Sequence, residues 1–274
     1  MVIKMIQKQE NGNLVLTLSD DFDLGLCLDC GQAFRWKQNE TGEWCGVAFS
    51  KQLKISQEGN KVTLFDTTPE DFENIWSSYF DLNRNYKEIV ATYTEENLKT
   101  ACEKYPGIRI LKQDEWETIC SFIISANNNI PRIKGIIDRL CESFGEDLGG
   151  AYSFPEPQKL ANLSVEDLAP IRAGFRAKYI IDAARKIASG EVDIEKIKTL
   201  PFTEAKAELL KIKGVGEKVA QCALLYGFGR VEAFPVDVWV KRILEELYPE
   251  GLPECMEGTQ GIAQQYLFHW RRNI

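Results

Sequence analysis

Lys218 and Asp237, nineteen residues apart, sit in local settings that could do chemistry. Lys218 lies in KIKGVGEKVAQC and Asp237 in AFPVDVWVKRI. The KGVG segment falls between two helical patterns and not after a strand, which removes the dinucleotide fingerprint and the P-loop. A helix, a glycine-bearing hairpin and a second helix remain. In such a hairpin Gly214 and Gly216 let the backbone approach a ligand, and the free N–H groups of the second helix favour an anion such as a DNA phosphate. A plain helical corner in a bundle fits those four residues equally well. On the second helix Lys218 and Cys222 are one turn apart and share a face, beside the small or apolar Val219, Ala220 and Ala223. A lysine at such an edge snorkels outward, or stays near the low-dielectric region and becomes a nucleophile. Asp237, taken alone, is the N-cap of the helix that follows Pro235 and the valines.

The elements that would carry these residues change in character along the chain. LVLTL alternates Leu14, Leu16 and Leu18 on one face, the period of a half-buried strand. EWCGVAFS reads as a second strand, and LKISQ and KVTLF flank a three-residue hairpin loop, Glu58-Gly59-Asn60. From Thr68, a natural N-cap, Phe72, Ile75, Trp76 and Tyr79 recur at helical spacing. After Tyr105-Pro106-Gly107 the strand signals nearly vanish. DEWETICSFIISANNN is an amphipathic helix ending in an asparagine run, and PRIKGIIDRLCESFG repeats the pattern with Gly145 as its closing residue. Further helices are predicted over Val165–Ala169, Ala177–Ser189, Thr203–Ile212, Glu217–Tyr226, Val238–Leu247 and Thr259–Trp270. The expected class is α+β: an antiparallel sheet domain with helices over residues 1–106, then an all-helical domain with a helix-hairpin-helix motif over 107–274.

Composition bounds the function classes. The chain has 274 residues and a formal charge of −8, which argues against a surface coated in basic residues. A local patch, not the total, sets the potential at a binding face, so a nucleic-acid ligand remains open. The start, MVIKMIQKQENGN, is too polar and short for a secretory signal, and no run approaches the roughly 18 apolar residues of a membrane span. A cytoplasmic protein is expected, nucleoid-associated in a prokaryote. Eight scattered cysteines suit reduced thiols. Cys27 and Cys30 form a lone C-x-x-C with no second pair, and the only histidine is His269, so two unrelated buried or half-buried thiols are expected and no metal. Only Cys255 follows Cys222, so no late iron–sulfur spacing exists.

KGVGEKVAQC followed by FPVDV resembles the helix-hairpin-helix DNA glycosylases. CGQAFRW, CSFIISANNNIPRI, AGFRAKYI and GIAQQYLF narrow the resemblance to the 8-oxoguanine DNA glycosylase/AP lyase branch, in order from about residue 14 to 270. The resemblance implies that Lys218 attacks C1′ of the damaged nucleotide and forms a Schiff base that permits strand cleavage by β-elimination. It gives Asp237 the developing positive charge on the sugar to stabilise. Asn127 would fill the space left by the flipped base, with a helix C-cap as its alternative role. Arg132 and Arg176 would contact the orphaned cytosine. The Gly31 carbonyl would accept from the N7 hydrogen that the lesion has and guanine lacks, a contact able to discriminate strongly in a buried site. Cys222 and Phe268 would sandwich the ring, Gln264 would read its Watson–Crick edge, and Phe122 belongs to the same base-binding set. The implied partner is double-stranded DNA containing 8-oxoguanine, bound by a monomer without cofactor.

Two positions depart from the family's pattern. Phe175 stands where a tyrosine often precedes the second arginine, so stacking survives without the hydroxyl. Trp239 stands where a histidine near a phosphate is frequent, leaving an indole N–H or no contact. Two other readings stay open: a helix-hairpin-helix glycosylase for alkylated bases or oxidised pyrimidines, and a catalytically silent DNA-binding or scaffold protein. The lack of a late cysteine cluster argues against iron–sulfur members, and Lys218 against monofunctional ones.

Overall fold

The computed structural model describes residues 5–272; the first four residues of the polar start lie outside them. Six strands, β1 (Met5–Glu10), β2 (Asn13–Leu18), β3 (Trp36–Gln38), β4 (Trp44–Ala48), β5 (Lys51–Glu58) and β6 (Lys61–Phe65), form one sheet in the order β1-β2-β6-β5-β4-β3. The pairs β1/β2, β2/β6, β5/β6 and β3/β4 are antiparallel. The leucine alternation sets the register: Leu14 lies opposite Leu64 and Leu16 opposite Val62, all four buried. Glu58 pairs with Lys61, so the β5–β6 loop is the two residues Gly59 and Asn60, one fewer than expected. Gly59 takes a φ of 60°, which glycine adopts without penalty. Trp36 faces Gly46 across β3 and β4, where any Cβ would sit 2.4 Å from the indole. The ring packs with Trp76, Tyr79 and Phe80 and donates its N–H to the Tyr79 hydroxyl at 2.6 Å.

The helix predicted from Thr68 forms, with the Thr68 hydroxyl accepting from Asp71 N, and five of its residues, Phe72–Trp76, are wound as a π-helix. The helices that position functional residues are α1 (Leu24–Leu28), α2 (Glu96–Lys104), α3 (Glu115–Ser125), α4 (Ile130–Phe144), α5 (Ala177–Ala188), α6 (Phe202–Leu210), α7 (Glu217–Tyr226), α8 (Val238–Leu247) and α9 (Gln260–Arg272). Asp114, Asn129 and Asp237 cap α3, α4 and α8 through their side chains. No described helix is long and apolar enough to cross a membrane.

The chain forms two compact units, and neither is one continuous stretch. Met1–Gly46, Leu53–Lys112 and Val231–Ile274 make the first; Val47–Gln52 and Gln113–Arg230 make the second. A single cut near residue 106 therefore describes these units incompletely, because α8 and α9 belong with the sheet. In the first unit Tyr93 bonds Thr259 and Tyr248 bonds Glu95, partners more than 150 residues apart that leave no local trace in the sequence.

One other local expectation is corrected. Val165–Leu168 is turn, followed by a short 3-10 segment, Ala169–Ile171, and not a helix. Pro170 has no N–H to extend one. Gly145 ends α4 as expected, with extended backbone (φ −78°, ψ 177°). Glycine is required there by crowding, since a Cβ would lie 2.1 Å from the Ser153 carbonyl.

Candidate functional site

In the second unit the hairpin forms as α6, a turn and α7. Gly214 sits at φ 87°, and a Cβ there would lie 2.4 Å from the Tyr179 ring, so both the backbone and its neighbour demand glycine. Lys213 N donates to the Asp182 carboxylate at 2.8 Å, which ties the turn to α5. Gly216 differs. It is the extended N-cap of α7, makes no side-chain cap bond, and has open space where a Cβ would project. The first N–H groups of α7 thus have neither an intrahelical partner nor a cap from the Gly216 side.

Lys218 projects from the first turn of α7 and is half-buried. Its Nζ donates to Ser125 Oγ at 3.4 Å and stands 5.2 Å from the centre of the Phe122 ring. Phe122 stacks on Tyr226 at 5.3 Å, so the surface under the amine is braced from behind. Among the described residues no carboxylate lies within ion-pair distance of Lys218. Cys222, one turn further along α7, is buried. Lysine, thiol and phenyl ring thus share the α3–α7 packing.

The loop between α3 and α4 carries Asn127 in the left-handed conformation (φ 50°), exposed and directly after the C-cap Ala126. That is the helix-terminating geometry asparagine tolerates. Arg176 holds this loop. Its Nε and Nη2 donate to the Ala126 carbonyl at 3.0 and 2.6 Å, and Nη2 also reaches the Asn127 carbonyl at 2.8 Å. The guanidinium lies 4.5 Å from the ring centre of Phe175, itself 55% exposed. Arg176 is buried, and burial, with the nearby charge of Arg132, lowers its pKa. Arg132 is exposed, with its backbone N–H on the Asn129 cap. One arginine is thus a loop clamp, and the other faces solvent.

In the first unit Gly31 follows α1 at φ 83°. Its neighbour Gln32 is fully buried and spans the fold: Nε2 donates to the Cys27 and Arg109 carbonyls, and Oε1 accepts from Leu111 N. The Gly31 loop is therefore pinned by side-chain bonds and not by regular structure. Cys27 and Cys30 are buried thiols without a disulfide, and burial raises both, Cys30 to about 11. Among the described residues no third ligand joins them.

Asp237 is half-buried and accepts the Val240 N–H at 2.8 Å through Oδ1. Trp239 is half exposed, with the Arg242 guanidinium 5.2 Å from its ring centre. Gln264 of α9 is 7% exposed; its Nε2 donates to the Pro235 carbonyl at 2.6 Å, and its Oε1 is buried without a partner. Phe268, one turn on, is half-buried. A buried, unpaired amide oxygen is costly unless a ligand or a water completes it.

Gln32, Ser125 and Tyr226 are not legible as site residues in the sequence, because each acts through a partner distant along the chain. Asn129 carries a signal that could have found it, since asparagine two residues before a proline is an N-terminal signature.

The family model for the 8-oxoguanine DNA glycosylase N-terminal domain matches residues 14–119, and that for HhH-GPD superfamily base excision DNA repair proteins matches residues 120–253. The chain is 32% identical over 271 residues to an N-glycosylase/DNA lyase of Saccharomyces cerevisiae, covering 86% of this chain and 71% of that protein. A solved structure of MBOgg1 in complex with a low-affinity DNA ligand superposes with a TM-score of 0.92 at 41% identity, over 98% of this chain and 99% of that one. The Clostridium acetobutylicum 8-oxoguanine glycosylase/lyase, in complex with double-stranded DNA containing cytosine opposite 8-oxoG, gives 0.90 at 38% identity, over 100% and 99%.

Proposed function

The chain belongs to the 8-oxoguanine DNA glycosylase family of HhH-GPD base excision DNA repair proteins, and on that premise we propose that it flips 8-oxoguanine out of duplex DNA, preferably opposite cytosine, and excises it by attack of Lys218 on C1′. The new C1′–N bond replaces the N-glycosidic bond, and the departing base takes up a proton. Opening of the sugar gives a Schiff base. Loss of a C2′ proton and departure of the C3′ oxygen then cleave the strand by β-elimination. Asp237 stabilises the positive charge that develops on the sugar, its position fixed by its cap bond to Val240 N.

One observation carries this reading: Lys218 stands half-buried on the hydroxyl of Ser125 and the ring of Phe122, with no carboxylate among the described residues to part from before attack. A lysine serving only solubility would project into water. The base is taken up by Gly31, Phe122, Cys222, Gln264 and Phe268, and the unpartnered Gln264 Oε1 supplies an acceptor for the N1–H of a guanine-type edge. Gly214 and Gly216 shape the hairpin whose N–H groups receive a phosphate. Asn127, Arg132, Phe175, Arg176 and Trp239 serve the DNA around the lesion. The protein would act as a monomer without cofactor, in the cytoplasm or, in a prokaryote, at the nucleoid.

The test is borohydride trapping on a duplex containing 8-oxoguanine opposite cytosine. Wild type is expected to yield a covalent protein–DNA adduct and Lys218→Gln none. An undiminished adduct from the variant overturns the mechanism, and an adduct formed only on oxidised pyrimidine overturns the substrate. Affinity for duplex should fall steeply with salt despite the charge of −8, because phosphate contacts dominate such binding.

A further inference from the structure

Between Val231 and Asp237 the chain has no regular structure, yet it must deliver a carboxylate to one place. Residues Val231, Ala233 and Pro235 are buried in alternation, and α9 runs beside them. Gly261 N donates to the Val231 carbonyl at 2.8 Å and Gln264 Nε2 to the Pro235 carbonyl at 2.6 Å. After Pro235 the chain emerges, with Val236 43% exposed, and the next bond is the Asp237 cap itself. The Gln264–Pro235 bond is therefore the last tie before Asp237. It also fixes the amide: a carbonyl can only accept, so the nitrogen end faces Pro235 and the unpaired Oε1 faces away from it.

We propose that Gln264 is a positioning residue for Asp237 as well as a base-reading one, a single amide whose nitrogen sets the carboxylate's approach and whose oxygen meets the base. The proposal rests on the glycosylase reading and adds a coupling to it. A base that pairs with Oε1 draws on the same rigid group that holds the Pro235 carbonyl, so recognition and placement of the carboxylate are linked through two bonds. A base that leaves Oε1 unpaired strains the amide that Asp237 depends on.

A duplex carrying a preformed abasic site separates the two roles, because it offers no base to read. Gln264→Met keeps the side chain's length and apolar stem and removes both polar ends. Single-turnover rates are measured for the variant on 8-oxoguanine duplex and on abasic duplex, with the unfolding midpoint and the affinity for undamaged duplex as controls on folding. We expect a fall of about tenfold to a hundredfold on both substrates, the scale of a small misplacement of a reacting group, with the maximal single-turnover rate reduced on the abasic duplex and the half-saturating enzyme concentration little changed. An abasic rate equal to wild type overturns the positioning role and leaves base reading alone. If Gln264→Met unfolds, Gln264→Lys, which can still donate to Pro235 but has no acceptor, is expected to keep the abasic rate and lose the 8-oxoguanine rate; loss of both overturns the proposal. A wild type that forms no trapped adduct on either duplex overturns the glycosylase reading itself.

Discussion

The segments that carry the two central side chains are built in opposite ways. Lys218 follows a turn whose backbone has almost no freedom: Gly214 is forced by its φ and by the Tyr179 ring, and Lys213 N is bound to Asp182. The neighbouring α3–α4 loop is gripped by three short guanidinium bonds from Arg176. Asp237 follows an irregular run held by a few single bonds, with Val236, Val238 and Trp239 exposed around it. The lysine's support is packing and backbone shape; the carboxylate's support is individual polar contacts. Substitutions near the first should therefore appear mainly as lost stability, and those near the second mainly as lost activity.

The largest stability effect expected is at Gly214. Gly214→Ala forces a non-glycine residue to φ 87° and drives a methyl to 2.4 Å from the Tyr179 ring. Backbone strain of about 1–3 kcal/mol and overpacking of about 1–3 kcal/mol add in the same direction. Urea unfolding should show a loss of roughly 2–6 kcal/mol. A loss under about 1 kcal/mol, below the range for strain alone, would mean that the hairpin is not rigid, and the contrast between the two regions would fail.

Arg176→Ala comes next. It strips the Ala126 and Asn127 carbonyls of their donors, and bonds from a charged group are each worth about 1.5–3 kcal/mol. Because Ala126 is only half-buried and Asn127 is exposed, water replaces part of what is lost, and a loss of roughly 2–3 kcal/mol, about that of one such bond, is expected, together with faster hydrogen exchange at residues 127–129 measured by mass spectrometry. Unchanged exchange would show that Asn127 holds its left-handed conformation without the clamp.

These two cases also show what is legible in the sequence. The bounds of α7 and α8 follow from the residues alone, because glycines, caps and apolar periodicity are local signals. Gly214 is legible as a turn residue, but the Tyr179 ring against it is not. The resemblance places Arg176 on DNA, and its three bonds to the 126–127 carbonyls have no counterpart in spacing or composition. The return of α8 and α9 to the sheet unit is likewise invisible, since Tyr93–Thr259 and Tyr248–Glu95 span most of the chain. Gly145 reads correctly as the residue that closes its helix, but the Ser153 carbonyl that makes glycine necessary there leaves no mark in the local pattern.

At Asp237 stability and activity should part. Asp237→Ala removes a cap worth about 1 kcal/mol, whereas Asp237→Asn keeps a capping oxygen and should leave the unfolding midpoint nearly unchanged. Both are expected to lower the single-turnover excision rate about a hundredfold or more, the scale of removing one preorganised stabiliser of transition-state charge. If Asp237→Asn retains wild-type rate, Asp237 is a cap and nothing more.

The smallest stability effect belongs to Gly216, in the same hairpin as the largest. Its φ of −98° suits any residue, and nothing lies within 4 Å of the point where a methyl would project. Alanine is the poorer N-cap but loses less freedom on folding, so the two terms offset and Gly216→Ala should change stability by less than about 0.5 kcal/mol. What the methyl would occupy is the open space in front of the first N–H groups of α7. If that space receives a phosphate, duplex affinity should fall several-fold at low salt, with a shallower salt dependence. Affinity equal to wild type, with stability also unchanged, would reduce Gly216 to a turn residue and move the phosphate contact elsewhere. Two glycines one residue apart would then differ in stability alone; a loss of affinity makes Gly214 the residue that shapes the hairpin and Gly216 the one that leaves it open to DNA.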